Sequence, residues 1–169
     1  ECEPFRLRVI GTAGSGKTQL AMAVFRDALA AGRRPLYVCY NRPLADHIAL
    51  IAPYGGEVAT YHQLADRLCR ARGEVPDFSR PDAFARLEAA LDTHRPAAAA
   101  CFDELIVDEG QDFRSGWADN LLRWLRSGGR AWWLEDPLQN LYERPPVALP
   151  GWVTLRSDIN YRSPQDILG

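Results

Sequence analysis

The sequence predicts an α/β fold: a three-layer sandwich with a mostly parallel central sheet and helices on both faces. Two observations predict it. Short apolar runs alternate with stretches of helical periodicity along most of the chain, the pattern of βαβ units. Polar clusters also follow the ends of the apolar runs, after Ile10, Tyr40, Val107 and Leu134. In open parallel sheets, ligands bind outside the carboxyl ends of the strands.

The elements follow in order. FRLRVIG (5–11) reads as a strand, and KTQLAMAVFRDALAAG (17–32) as a helix closed by Gly32. RPLYVCY (34–40) is a second strand, followed by a helix over 43–51. GEVATY (56–61) is a short strand and HQLADRLCRAR (62–72) a helix. Residues 73–100 hold one helix, RPDAFARLEAALDTH, in a Pro- and Ala-rich surround, and read as a short helical insertion. DELIVDE (103–109) is a strand. SGWADNLLRWLRSGG (115–129) reads as an amphipathic helix with Trp117, Leu121, Trp124 and Leu125 on one face. RAWWLED (130–136) and GWVTLRS (151–157) are strands, and SPQDILG begins a further helix. At 169 residues the chain is one domain of ordinary size. It does not begin with Met and stops at DILG, so it reads as a piece of a longer protein.

Composition removes several classes. The net charge is −2 and the pI about 5.9, so no overall basic footprint points to nucleic acid, and any such contact must be local. The four cysteines have no CxxC pair and the three histidines are scattered, which argues against a zinc site and for reduced thiols. No apolar run spans a bilayer and no secretory leader is present, so the expected location is cytoplasmic and no membrane partner is expected.

Two clusters carry chemistry. GTAGSGKT (11–18) fits G-x-x-x-x-G-K-[ST] between a strand and a helix, the context that motif requires. The backbone of Gly11, Thr12, Ala13, Gly14, Ser15 and Gly16 would cradle phosphates, with Gln19 completing the nucleotide-binding set. A helix N-terminus adds its positive end. Lys17 is the only lysine among 20 basic residues. It would reach the β/γ-phosphates of ATP, and the Thr18 hydroxyl would ligate Mg²⁺. The second cluster is LIVDEGQDF (105–113), where a buried strand delivers Asp108, Glu109, Gln111 and Asp112 to one rim. Carboxylates that close repel one another, and a Mg²⁺ ion beside Thr18 supplies the missing positive charge. Asp108 would hold it, through water, because Mg²⁺ dehydrates reluctantly. Glu109 would then be the base or water-orienting group for hydrolysis.

DEGQDF resembles motif II of superfamily 1 helicases of the UvrD/Rep type, usually DEAQDF, with Gly110 in place of the common Ala, a small-for-small change. LYVCYNRPLADHI resembles that family's motif Ia, TYHQLADRL its Thr-aromatic-His segment, WWLEDPLQNLY its motif III and LRSDINYRS its motif IV, all in the family's order. The resemblance implies a P-loop NTPase of RecA-like fold: residues 1–169 as the N-terminal, ATP-binding lobe of a helicase, with a second RecA-like lobe of the same chain carrying an arginine finger. It implies that Gln139 senses the γ-phosphate or attacking water, that Arg162 contacts the γ-phosphate, and that Tyr161 stacks on adenine. Gln111 would couple the hydrolytic site to its neighbours. Asn41, Arg42, Thr60, His62 and Tyr142 would line a single-stranded DNA path, with RNA left open. The pattern also departs from the family. Glu135 stands where Gly is usual, and ERPPVALPGW replaces a tryptophan-bearing stretch. Two other readings share the P-loop. One is an ATPase switch or partner-bound motor without unwinding activity. The other is a small-molecule kinase, against which DEGQDF and NYRS argue.

Overall fold

The computed structural model describes residues 4–12 and 16–157. The candidate residues Ala13, Gly14, Ser15, Tyr161 and Arg162, and the helix expected over 163–169, lie outside them. Six strands form one sheet: β1 (Arg6–Gly11), β2 (Pro35–Cys39), β3 (Glu57–Thr60), β4 (Phe102–Val107), β5 (Leu125–Glu135) and β6 (Val153–Ser157). Their order is β3-β2-β4-β5-β1-β6 and every pairing is parallel. All five residues of β2 are buried, as expected of an inner strand covered on both faces.

Side-chain alternation sorts the core into two layers. On one face Val9, Tyr37, Cys39, Ile106 and Leu134 pack against α1 (Lys17–Ala30) and α2 (Arg42–Ile51), through Ala21, Phe25, Ala45 and Ile48. On the other face Leu36, Val38, Leu105, Val107 and Trp133 meet α3 (Tyr61–Ala71), α4 (Ala83–Thr93) and α5 (Trp117–Leu122). The expected three-layer α/β sandwich is therefore present. Helix α4 is the helix expected within 73–100, and it buries Ala83, Leu87 and Leu91. Cys39, Cys69 and Cys101 are buried free thiols. Burial pushes the Cys39 thiol up to about 12, which keeps it protonated and inert.

One element differs from expectation. The helix expected over 115–129 stops at Leu122, and β5 begins at Leu125. Trp117, Leu121 and Trp124 are buried as the helical spacing requires. The beginning of β4, however, needs a partner. Phe102 N–H donates to the Trp124 carbonyl at 2.7 Å, and Phe102 stands in register with Leu125 before the ladder shifts. The sheet's hydrogen bonds take the segment from the helix.

Candidate active site

The strand order decides what meets at the carboxyl edge. Strand β5 lies between β1 and β4, with Leu134 beside Val9 and Trp133 beside Val107. The loop after β1, the turn after β5 and the turn after β4 are thus neighbours on one edge. Because Ile106 faces α1, Asp108, two residues on, points to that face too. That is the face on which α1 begins with Lys17.

The loop after β1 enters α1 through Gly16, whose φ of 84° suits glycine. Lys17 is buried, and its ammonium donates to the carbonyls of Gly11 at 2.8 Å and Thr12 at 3.1 Å. Thr18 and Gln19 are exposed. Asp108 is almost wholly buried. Its Oδ2 accepts the Tyr37 hydroxyl at 2.5 Å and its Oδ1 accepts Glu109 N–H at 2.9 Å. Burial pushes the Asp108 carboxyl up to about 6; the charge of Glu109 adds, while the Tyr37 hydrogen bond and Lys17 oppose. Asp112 is likewise pushed up to about 6 by burial and by Glu109. Negative charge is in excess on this rim, and a cation would relieve it.

Glu109 has φ 53° and ψ 46°, the left-handed region that non-glycine residues rarely adopt. Its turn is held by Gln111. The Gln111 amide nitrogen donates to Glu109 Oε2 at 2.5 Å, and the amide oxygen accepts Asp136 N–H at 2.9 Å. One side chain therefore ties the turn after β4 to the turn after β5. Asp136 in turn accepts Leu138 N–H at 3.0 Å, which shapes the 3-10 turn Pro137–Gln139 that presents Gln139 to solvent. Glu135, unusual for the family pattern, lies on the opposite face of the sheet and pairs with Arg8. It leaves the turn uncrowded.

A family model described as "AAA domain" matches residues 3–145. The chain belongs to that family. No curated protein matches it in sequence. A solved structure titled as a DNA replication initiation factor is similar at 16% identity and a TM-score of 0.49, covering 97% of this chain. The chain spans 43% of that protein's length.

This AAA domain is of the P-loop ATPase type, a family that uses ATP and Mg²⁺. The donors present fit Mg²⁺: the Asp108 carboxylate and the Thr18 hydroxyl would offer it hard oxygens, and Mg²⁺ is ordinarily held by one or two carboxylates together with substrate phosphates. Among the described residues no cluster of three or more His, Cys, Asp or Glu could hold a metal ion. No helix among them is long and apolar enough to cross a membrane.

The residues expected along a nucleic-acid path are dispersed in role. Asn41 caps α2, accepting Leu44 N–H at 3.0 Å. Thr60 is buried and caps α3 in a reciprocal box with Gln63. Arg42 is exposed and paired with Asp46 at 3.1 Å. His62 lies 3.1 Å from Glu88 and packs edge-on to Tyr40 and Phe84. Together Tyr40, Arg42, Thr60, His62, Phe78 and Phe84 line a cavity of about 900 Å³. Tyr142 is half-exposed and edge-on to Tyr40 at 5.3 Å. Arg144 sits over both rings, at 4.8 and 4.6 Å, and donates to the Asp112 carbonyl. Phe78, Phe84, Arg144 and Tyr37 were not singled out from the sequence. The two phenylalanines lie within residues 73–100, where an aromatic pair next to a helix gives a faint signal. Tyr37 and Arg144 give none until the strand order is known.

Proposed function

We propose that this AAA domain is the ATP-binding and hydrolysing motor lobe of a superfamily 1 helicase or translocase that acts on single-stranded DNA. One observation carries the reading: the turn after β5 lies between the P-loop strand and the carboxylate strand, and Gln111 ties it to Glu109. A motor needs this kind of link, because hydrolysis at one loop must be felt at another.

In this reading the backbone of residues 11–16 and Lys17 bind the phosphates of ATP. Asp108 and Thr18 would hold Mg²⁺, which would supply positive charge to offset the negative charge of the phosphates. Glu109 accepts a proton from the attacking water, held in place by its left-handed backbone and by Gln111. Gln139 reads the γ-phosphate from the neighbouring turn, while Tyr161 stacks on adenine and Arg162 meets the γ-phosphate. Single-stranded DNA runs past the aromatic cavity and Tyr142, where ring faces stack bases and arginines meet phosphates. Asn41 and Thr60 enter that path through the loop shapes their caps fix, and Arg42, His62 and Tyr142 through their side chains. A second RecA-like lobe completes the site.

The test is ATP turnover by the whole protein with and without single-stranded DNA, alongside strand displacement. Turnover should rise on adding the strand. Lys17→Ala should abolish it. Glu109→Gln should retain nucleotide binding while slowing turnover roughly 10²–10⁴-fold, the usual worth of a general base. DNA-stimulated turnover without strand displacement would favour a translocase or switch. Turnover indifferent to DNA would remove the motor reading.

A further inference from the structure

Tyr37 stands in the middle of β2, fully buried on the α1 face of the sheet. Its ring fills core that a phenylalanine would fill equally well. The hydroxyl is what apolar packing does not explain, since a buried phenol must find a partner. The partner is Asp108 Oδ2, at 2.5 Å.

Register places the two groups together. Tyr37 pairs with Ile106 across β2 and β4, and Asp108 N–H donates to the Val38 carbonyl at 2.8 Å. Asp108 therefore emerges from β4 on the side of the sheet that Tyr37 occupies. Its other oxygen is taken by Glu109 N–H. The carboxylate thus has one donor on each oxygen, one from strand β2 and one from the turn after β4, and its plane is fixed. Each oxygen still keeps lone-pair capacity for a metal or a metal-bound water. Outer partners of this kind orient metal ligands, and losing one typically costs about 10–100-fold in metal affinity or activity.

We propose that Tyr37 is a positioning residue that holds the Asp108 carboxylate in the orientation that receives the Mg²⁺ of a bound nucleotide. The inference rests on the nucleotide-site reading given above. It assigns to β2, outside the P-loop and the carboxylate motif, a part in metal affinity exercised through Asp108.

The experiment is binding of a fluorescent ADP analogue to the whole protein, titrated with Mg²⁺ and repeated in EDTA. Parent, Tyr37→Phe, Asp108→Asn and the double variant are compared. Tyr37→Phe should raise the Mg²⁺ concentration at half-effect about 10–100-fold and leave the EDTA affinity unchanged, which also reports intact folding. In the Asp108→Asn background Tyr37→Phe should add nothing, because the group it orients is gone. The proposal is overturned by an unaltered Mg²⁺ midpoint in Tyr37→Phe, by an equal loss of affinity in EDTA, or by an effect that persists without Asp108. A parent protein whose nucleotide binding ignores Mg²⁺ would overturn the nucleotide-site reading and this inference with it, a result distinct from the other three.

Discussion

Asp112 is a carboxylate without a full set of partners: its Oδ1 is buried and accepts no hydrogen bond among the described residues. Burial and Glu109 push its pKa up to about 6, against Arg144. The unfolded chain has a pKa near about 3.9, so the folded state holds this proton more tightly. The contribution to stability is fully present below the unfolded value and is lost as pH rises through about 6. Asp112→Asn should therefore melt at a higher temperature than the parent at pH ~7.5 without nucleotide, and the gap should shrink to about half by pH ~5. Melting curves in EDTA at the two pH values check this; a gap of constant size would show that charge is not its origin. The carboxylate cluster itself was legible in the sequence, since Asp108, Glu109, Gln111 and Asp112 follow a buried strand within five residues, as the paired motif requires. What each one touches was not. Gln111 reaching Asp136 and Tyr37 reaching Asp108 depend on which strands are neighbours, and one chain read in order does not give that.

At the scale of elements, the turn after β4 and strand β5 are fitted to each other. A methyl group added at Gly110 would come within 2.6 Å of Trp133 Cε2 and 2.9 Å of Cδ1, and closer still to Nε1. The exchange with alanine that is small-for-small on the sequence is therefore not small in the fold. Trp133 cannot swing away: it is buried, edge-on to Phe113 at 5.4 Å and to Trp152 at 6.5 Å. Gly110→Ala should destabilise by about 1–3 kcal/mol, as overpacked cores do, and should disturb the Glu109 turn beside it. Trimming the ring supplies the check. Gly110→Ala with Trp133→Phe should lose less stability than the two single changes summed, measured by denaturant unfolding; simple additivity would mean that the two do not meet. The same strand shows where element boundaries elude the sequence. The spacing of Trp117, Leu121, Trp124 and Leu125 satisfies a helix, yet Leu125 pairs beside Phe102. Period alone could not weigh the unpaired start of β4 against another turn of α5. By contrast β2, α1 and α3 stood clear because their apolar runs end at a glycine or at a cap.

At the scale of the whole molecule, the candidate site opens on one edge of the sheet, and much of its chemistry faces outward. Thr18, Gln19 and Gln139 are exposed, while Lys17 and Asp108 are buried. The net charge is −2, so bulk attraction cannot hold a polyanion, and binding must come from local stacking and from a facing surface. On the proposed reading, that surface is a second lobe that brings an arginine to the γ-phosphate. In related phosphoryl-transfer systems such a residue contributes on the order of 10³–10⁵ in rate. Residues 1–169 alone should then fold and bind nucleotide weakly, yet turn over ATP slower than the whole protein by a factor of that order, with or without single-stranded DNA. Parallel measurements of phosphate release by the two proteins check it. If these residues alone showed robust turnover that rose with added strand, the site would be complete within this sheet edge, or completed by a second copy. In the first case Lys17 and the Mg²⁺ of the nucleotide would have to neutralise the transition-state charge that the two-lobe reading leaves to an arginine elsewhere.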